Sequence, residues 1–309
     1  MFGLWLIYAF AFLFFWGLVN VLDSYFIESE IYDNVWDGII VSSLFKVFGI
    51  LIIGGIFFSQ LFQISLLAAV LSMLVGAFMS LAYLFAFLAI LHHNDTPLLQ
   101  VVWNLSSPLV VVLALIFLGE VFSLKTYAGM LIVFLGSFVI YFQKGSFGGK
   151  LKKFVLFSIP MVVLYSVSEV FLKYVEEGLG ASFGQSFTFL CLGQVVFGTI
   201  ILLSRRNAKH VFQLVKKNFS LFFFGEVIEL LGLFFMVLAV IKSPAVSLVA
   251  VAESFMPVAI ILLTFGMIPV LKIFKRGKLI KKIYDEKMIT GLPVKIIATL
   301  MMAIGAYLI

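Results

Sequence analysis

Lys46, Glu169, Glu226, Glu229 and Glu253 each fall inside long apolar stretches of this sequence. An ionisable group at the centre of a membrane-spanning helix costs about 2.5 kcal/mol or more, so such groups mark a binding site or a proton relay. Four carboxyls against one lysine leave an excess of negative charge, to be met by protonation or by a bound cation. Glu226 and Glu229 are three residues apart on one helical face, close enough to share a proton or a cation; the alternative is a polar stripe facing a neighbouring helix. Lys46 is expected as a counter-ion to one of these carboxylates, the alternative being a side chain that snorkels to an interface. Glu169 stands four residues before Lys173, so an i,i+4 ion pair competes with a substrate role. Glu253 is either a cavity carboxylate or a buried structural one.

Uncharged groups extend the set. Asn20 and Asn104 are polar residues in apolar surroundings, and Trp16, Tyr83, Trp103 and Tyr165 could wall a cavity and hold an organic cation by cation–π contact, although in a chain that is 17% aromatic most rings pack or face lipid. Glu120, at a helix end, is expected as a cap or hinge group. His92-His93 lacks a third ligand at suitable spacing for a metal, and the single cysteine, Cys191, supports neither a disulfide framework nor a metal cluster. No His/Asp or Ser/His arrangement and no phosphate-binding loop is visible, so an enzyme is not expected, and no cofactor is implied.

These residues need elements that hold them within lipid. The 309 residues are 63% hydrophobic and 12% charged, where a soluble domain runs near half and a quarter. Apolar runs of 18 or more recur along the whole chain, each long enough to cross a hydrocarbon core of about 30 Å. Without strict alternation these are helices, since lipid leaves only helices or closed barrels. The expected class is therefore all-α, an integral membrane bundle of about ten transmembrane helices. The spans are 4–22, 38–58, 64–91, 97–118, 125–142, 154–175, 184–204, 219–241, 244–270 and 291–309. The first is read as a retained helix, because it has no basic n-region and no small-x-small cleavage site. Asp95-Thr96-Pro97 and Ser243-Pro244 each place a capping side chain before a proline at a helix start.

Gly145, Gly148 and Gly149 mark a midpoint loop, dividing the chain into repeats at 1–143 and 154–309. An offset of 149 sets Gly49 on Gly198, Gly76 on Gly225, Phe85 on Phe234, Pro108 on Pro257, Asn20 on Glu169, Asn104 on Glu253 and Trp16 on Tyr165. After the fourth helix the offset becomes 169, aligning Gly136 with Gly305. The second repeat thus carries about 20 extra residues at 268–288, read as a basic amphipathic surface helix or a solvated charged loop. Five helices per repeat is odd, so the halves insert in opposite orientations, the architecture of many secondary transporters with a site near the midplane.

Sixteen of the 21 basic residues lie at Lys144–Lys153, Arg205–Lys217 and Lys272–Lys287. By the bias of Lys/Arg toward cytoplasmic loops these three segments are cytoplasmic and both termini outside. The net charge of +6 is accordingly a topology signal and an attraction to membrane lipids, and no nucleic-acid partner is expected.

The segment from Pro97 through Trp103-Asn104 to Pro108, running on to Leu118-Gly119-Glu120 and then Lys125, Gly129 and Gly136, resembles the most recognisable stretch of EamA-type transporters of the drug/metabolite transporter superfamily. Trp16-Gly17-Leu18-Val19-Asn20 is similar to that family's first-helix signature. The second half departs from the pattern, with Phe265-Gly266-Met267 near the place of a Leu-Gly-Glu. The resemblance implies a multi-pass carrier of small organic molecules in the cell membrane, with both termini in the cytoplasm, against the charge pattern; alternating access follows from the inverted halves, and proton-coupled export is one reading of the excess of buried carboxyls. A flippase for a lipid-linked substrate and a non-transporting scaffold are the alternatives.

The charge pattern is testable directly. In a Cys191→Ser background, Lys150→Cys and Lys278→Cys are expected to resist an impermeant thiol reagent in intact cells; labelling of both from outside would restore the family topology.

Overall fold

The computed structural model describes residues 3–28, 34–93, 99, 102–141, 151–205, 208–273 and 292–309, and among them helix is the sole regular structure. The helices are α1 (Leu4–Glu28), α2 (Val35–Phe45), α3 (Leu66–His93), α4 (Ser106–Phe117), α5 (Leu124–Tyr141), α6 (Leu151–Glu177), α7 (Phe183–Arg205), α8 (Ala208–Lys217), α9 (Phe219–Lys242), α10 (Val246–Glu253), α11 (Met256–Ile273) and α12 (Leu292–Leu308). Six stretches are long and apolar enough to cross a membrane: Val35–Gly54, Leu66–Ala89, Phe154–Glu177, Phe183–Arg205, Phe219–Lys242 and Val246–Leu263. The outer surface carries large apolar side chains such as Leu51, Phe62, Leu66, Leu124 and Tyr307, as a lipid-facing exterior requires. The chain is a multi-pass helical membrane bundle.

Three expected spans are interrupted, two of them just before a proline. Sequence periodicity predicts a continuous helix over 38–58; instead α2 stops at Phe45, Lys46 forms a turn, and the chain continues as Val47–Gly49, a π-helical turn Ile50–Gly54 and a short helix Phe58–Leu61. The span at 97–118 breaks at Asn104-Leu105, where the Leu105 amide bonds the Val102 carbonyl three residues back. Pro108 follows, and a proline four residues beyond Asn104 has no N–H to offer its carbonyl. The span at 244–270 breaks at Ser254-Phe255, and Pro257 deprives the Glu253 carbonyl in the same way. Hydropathy cannot see these breaks because the residues on either side remain apolar.

The basic stretch Arg205–Lys217, expected as a loop, contains α8. Its Val211 and Leu214 are buried with Ile40, Val41 and Phe222, and that apolar stripe makes a helix of an otherwise polar segment. Residues 142–150, in the midpoint loop, and 274–291, most of the inserted segment, lie outside the described residues; α11 extends to Ile273.

α3 packs along α6 and α7, α1 along α9 and α11, α5 along α12, and α2 against α7, while α4 meets α6 and α10. Between helices in lipid the attraction is close packing of small residues rather than a hydrophobic drive. α3 and α7 cross where a Cβ on Gly76 would collide with the Leu190 carbonyl, and one on Gly193 with the Met73 carbonyl. Neither obstacle is a side chain that could swing aside. Gly76→Ala and Gly193→Ala are therefore each expected to cost about 2 kcal/mol or more, read as a lowered melting temperature of purified protein; an unchanged Tm would mean that the crossing is loose.

Candidate functional site

The helix breaks converge on one cavity of about 130 Å³. Asn104 and Glu253 line it from the interrupted helices, Trp16 and Asn20 from α1, Ser42 from α2, Tyr83 from α3, and Glu226 and Glu229 from α9. Val19, Asn20, Gly38, Phe87 and Leu99 carry the lining toward the end of the bundle where α1 finishes and α2 begins. Unwound backbone at membrane depth is tolerated where it lines such a cavity.

Two charged clusters occupy the site. In the first, the Lys46 ammonium lies 3.0 Å from Glu229 Oε1 and 3.3 Å from Glu226 Oε2. It also donates to the Ser42 carbonyl and hydroxyl, each at 3.3 Å, while the Ser42 hydroxyl lies 2.9 Å from Glu229 Oε2. Lys46 is thus a counter-ion, shared between two carboxylates, and is buried rather than snorkelling. Its place at the turn ending α2 lets the ammonium reach a backbone carbonyl and α9 together.

The second cluster is Tyr165, Glu169 and Glu253. The Tyr165 hydroxyl donates to Glu253 Oε1 at 3.2 Å, and the Glu169 carboxyl lies beside both groups. Glu169 is fully buried on α6, and neither of its oxygens has a hydrogen-bond partner among the described residues. Two ionised carboxyls offer each other only acceptors, whereas a single proton between them makes a hydrogen bond and halves the charge. Lys173, the alternative partner for Glu169, instead bridges to Glu176 at 3.2 Å and Glu177 at 2.9 Å and donates to the Ser243 carbonyl at 2.7 Å. The i,i+4 pair expected as one reading of Glu169 is not among the ion pairs of the described residues.

The four aromatics touch one another in a closed cycle that includes Tyr165 of this second cluster. Centroid distances are 6.4 Å for Trp16–Tyr83, 5.5 Å for Tyr83–Trp103, 5.1 Å for Trp103–Tyr165 and 6.2 Å for Trp16–Tyr165. Trp16, Tyr83 and Trp103 line the cavity, with Tyr165 behind them holding Glu253. Asn20 donates to the Trp16 carbonyl of its own helix at 2.8 Å. The Nδ2 of Asn104 and the Oε1 of Gln194, from residues that line the cavity, are buried without hydrogen-bond partners among the described residues.

Glu120 lies outside the cavity and caps a helix across the bundle. Its Oε1 accepts from the Val246 amide at 2.7 Å, and its Oε2 from the Ser247 amide at 3.1 Å and hydroxyl at 2.5 Å. A carboxylate on the first amides of α10 satisfies orphan donors and complements the helix dipole. Gly119, at φ 69°, supplies the left-handed turn that aims it. With Lys173 on the Ser243 carbonyl, this cap ties the ends of α4 and α6 to the turn between α9 and α10.

Sequence reasoning missed Ser42, Gln194 and Gly232. Ser42 is four residues before Lys46 and so shares its helical face, a signal that was available. Gly232 has no Cβ where the Trp16 indole sits; its equivalence to Tyr83 at the 149 offset was the clue. The side chains of His92 and His93 lie outside the described residues.

No family model matches the chain, and no curated protein matches it in sequence. A solved structure described as "Crystal structure of protein" superposes with a TM-score of 0.65 at 14% identity, covering 100% of this chain and 98% of that one. That likeness is one of fold.

Removing one member of a buried ion pair strands the other charge, at about 3–5 kcal/mol. Lys46→Met is accordingly expected to depress the melting temperature strongly or to abolish expression. Combining it with Glu226→Gln and Glu229→Gln should recover most of the loss. A single variant as stable as the parent would mean that the triad carries no net charge interaction.

Proposed function

We propose that the chain is a secondary transporter of small organic solutes of the EamA type within the drug/metabolite transporter superfamily, working in the cell membrane by alternating access with proton-coupled export. Ten spanning helices arise when the six long spans are joined by the shorter apolar helices Leu4–Asn20, Ser106–Phe117, Leu124–Val139 and Pro293–Leu308. Two inverted halves are supported by contacts that survive exchanging one half for the other. Gly49 abuts Cys191 as Gly198 abuts Ser43, nearly the same contact at the 149 offset. Gly129 meets the Gly305 carbonyl while Gly136 meets the Ala298 carbonyl, and the 169 offset turns each contact into the other. In both sets a residue early in one helix meets one late in its partner, so the paired helices run antiparallel, as inverted repeats require. Helix partners exchange too: α3 with α6 corresponds to α1 with α9.

The observation that carries the functional reading is a cavity lined by three carboxyls at the meeting of two proline-broken helices: Glu226 and Glu229 share Lys46, while Glu253 has no basic partner among the described residues. A scaffold has no use for such a group of charges. The aromatic walls add cation–π attraction, so the favoured substrate is an organic cation that exchanges for the proton held by Glu169 and Glu253. Protonation removes the charge that holds the cation, so binding weakens as pH falls, and exchange of the two gives antiport.

A thermal-shift screen against amino acids, nucleosides, sugars and organic cations should give its rise in Tm with organic cations. Glu253→Gln keeps the shape and removes the charge. It is expected to fold while losing pH-dependent binding and cation transport by tenfold or more. Normal binding and transport by this variant at every pH would sink the central-carboxylate reading.

A further inference from the structure

α8 joins α7 to α9, two helices long enough to cross a membrane, and therefore lies at a membrane surface. Its Val211 and Leu214 face the protein. At about 100° per residue the remaining positions fall into three sectors. Ala208, Phe212 and Val215 make an apolar sector on one side of the buried edge, with Phe212 70% exposed. His210, Gln213 and Lys217 make a polar sector on the other. Lys209 and Lys216, two turns apart and both exposed, stack on the boundary between these sectors, directly opposite the protein.

We infer that α8 is a docking site for anionic phospholipid headgroups, with Lys209 and Lys216 as the charged grip and Phe212 as the apolar anchor. A helix lying in the interface turns its apolar sector toward the acyl chains and its polar sector toward water, which sets a lysine pair on the boundary at headgroup depth. A helix merely solvated would have no use for an exposed phenylalanine beside that pair. The site is preorganised, because α8 is held against the bundle at its polar edge: His210 Nε2 lies 3.1 Å from Asp37 Oδ2. Just before it, the Arg205 guanidinium stacks 3.7 Å from the Trp36 ring. Phe219 and Phe224, exposed at the start of α9, continue the apolar surface beneath it. The lipid site is independent of what the cavity carries.

The test uses the full chain purified in a neutral detergent, with thermal stability followed as phosphatidylglycerol or phosphatidylcholine is added. Phosphatidylglycerol is expected to raise Tm at lower concentration than phosphatidylcholine, and the difference should shrink at high salt. Lys209→Gln with Lys216→Gln should weaken the apparent affinity for phosphatidylglycerol roughly tenfold or more. The control pair Lys125→Gln with Lys242→Gln should leave it unchanged. Equal responses to the two lipids, an undiminished response in the Lys209/Lys216 double variant, or a shift reproduced by inorganic phosphate alone would each overturn the site.

Discussion

Inside hydrocarbon a backbone amide or carbonyl without a partner costs several kcal/mol, and the rest of this structure is arranged around that constraint. It forces continuous helix wherever the chain faces lipid and allows helix to end only where something else serves the freed groups. At the three breaks Lys46, Asn104 and Ser254 are buried. At the first, the side chain that ends the helix donates back to the Ser42 carbonyl. At the other two, prolines four residues on guarantee that the Asn104 and Glu253 carbonyls stay out of the helical ladder, next to the cavity these residues line.

Charge follows the same logic. Lys46 is stable at full burial because two carboxylates and a hydroxyl surround it, while Glu169 and Glu253 have no ammonium partner among the described residues. One cavity thus holds one cluster already neutralised in part and another that is not. The lysine triad ties α2 to α9, and the Tyr165 hydroxyl ties α6 to Glu253 at the end of α10. Elsewhere, Glu120 on the amides of α10 and Lys173 on the Ser243 carbonyl satisfy helix-terminal groups.

Much of this was legible in the sequence, because the signals were local. Apolar runs too long for a soluble core announced membrane helices, and the carboxyls and lysine within them announced a polar interior. Lys46 was foreseeable as a counter-ion, since an ammonium within lipid must either pair or snorkel to an interface, and Glu120 as a cap, from its position after Leu118-Gly119. Pro108 and Pro257 were visible at the repeat offset, but their effect was not, because hydropathy reports the solvent a segment prefers and is blind to where its hydrogen-bond ladder is cut. The short helix α8 was lost in the same way: Val211 and Leu214 are too few to stand out among lysines, and only Ile40, Val41 and Phe222 make them a buried edge.

The sequence by itself determined the solvent, the helical class and the inventory of buried charge, since each follows from the composition of single segments. Which charge meets which was decided by the tertiary structure alone. Glu169 could have paired with Lys173 one turn away; it faces Glu253 on α10 instead, because Lys173 is engaged by Glu176, Glu177 and the Ser243 carbonyl. Local spacing fixes which neighbours are within reach. The choice among them belongs to packing, where α6, α4 and α10 meet and the geometry of three helices admits one arrangement of the charges between them.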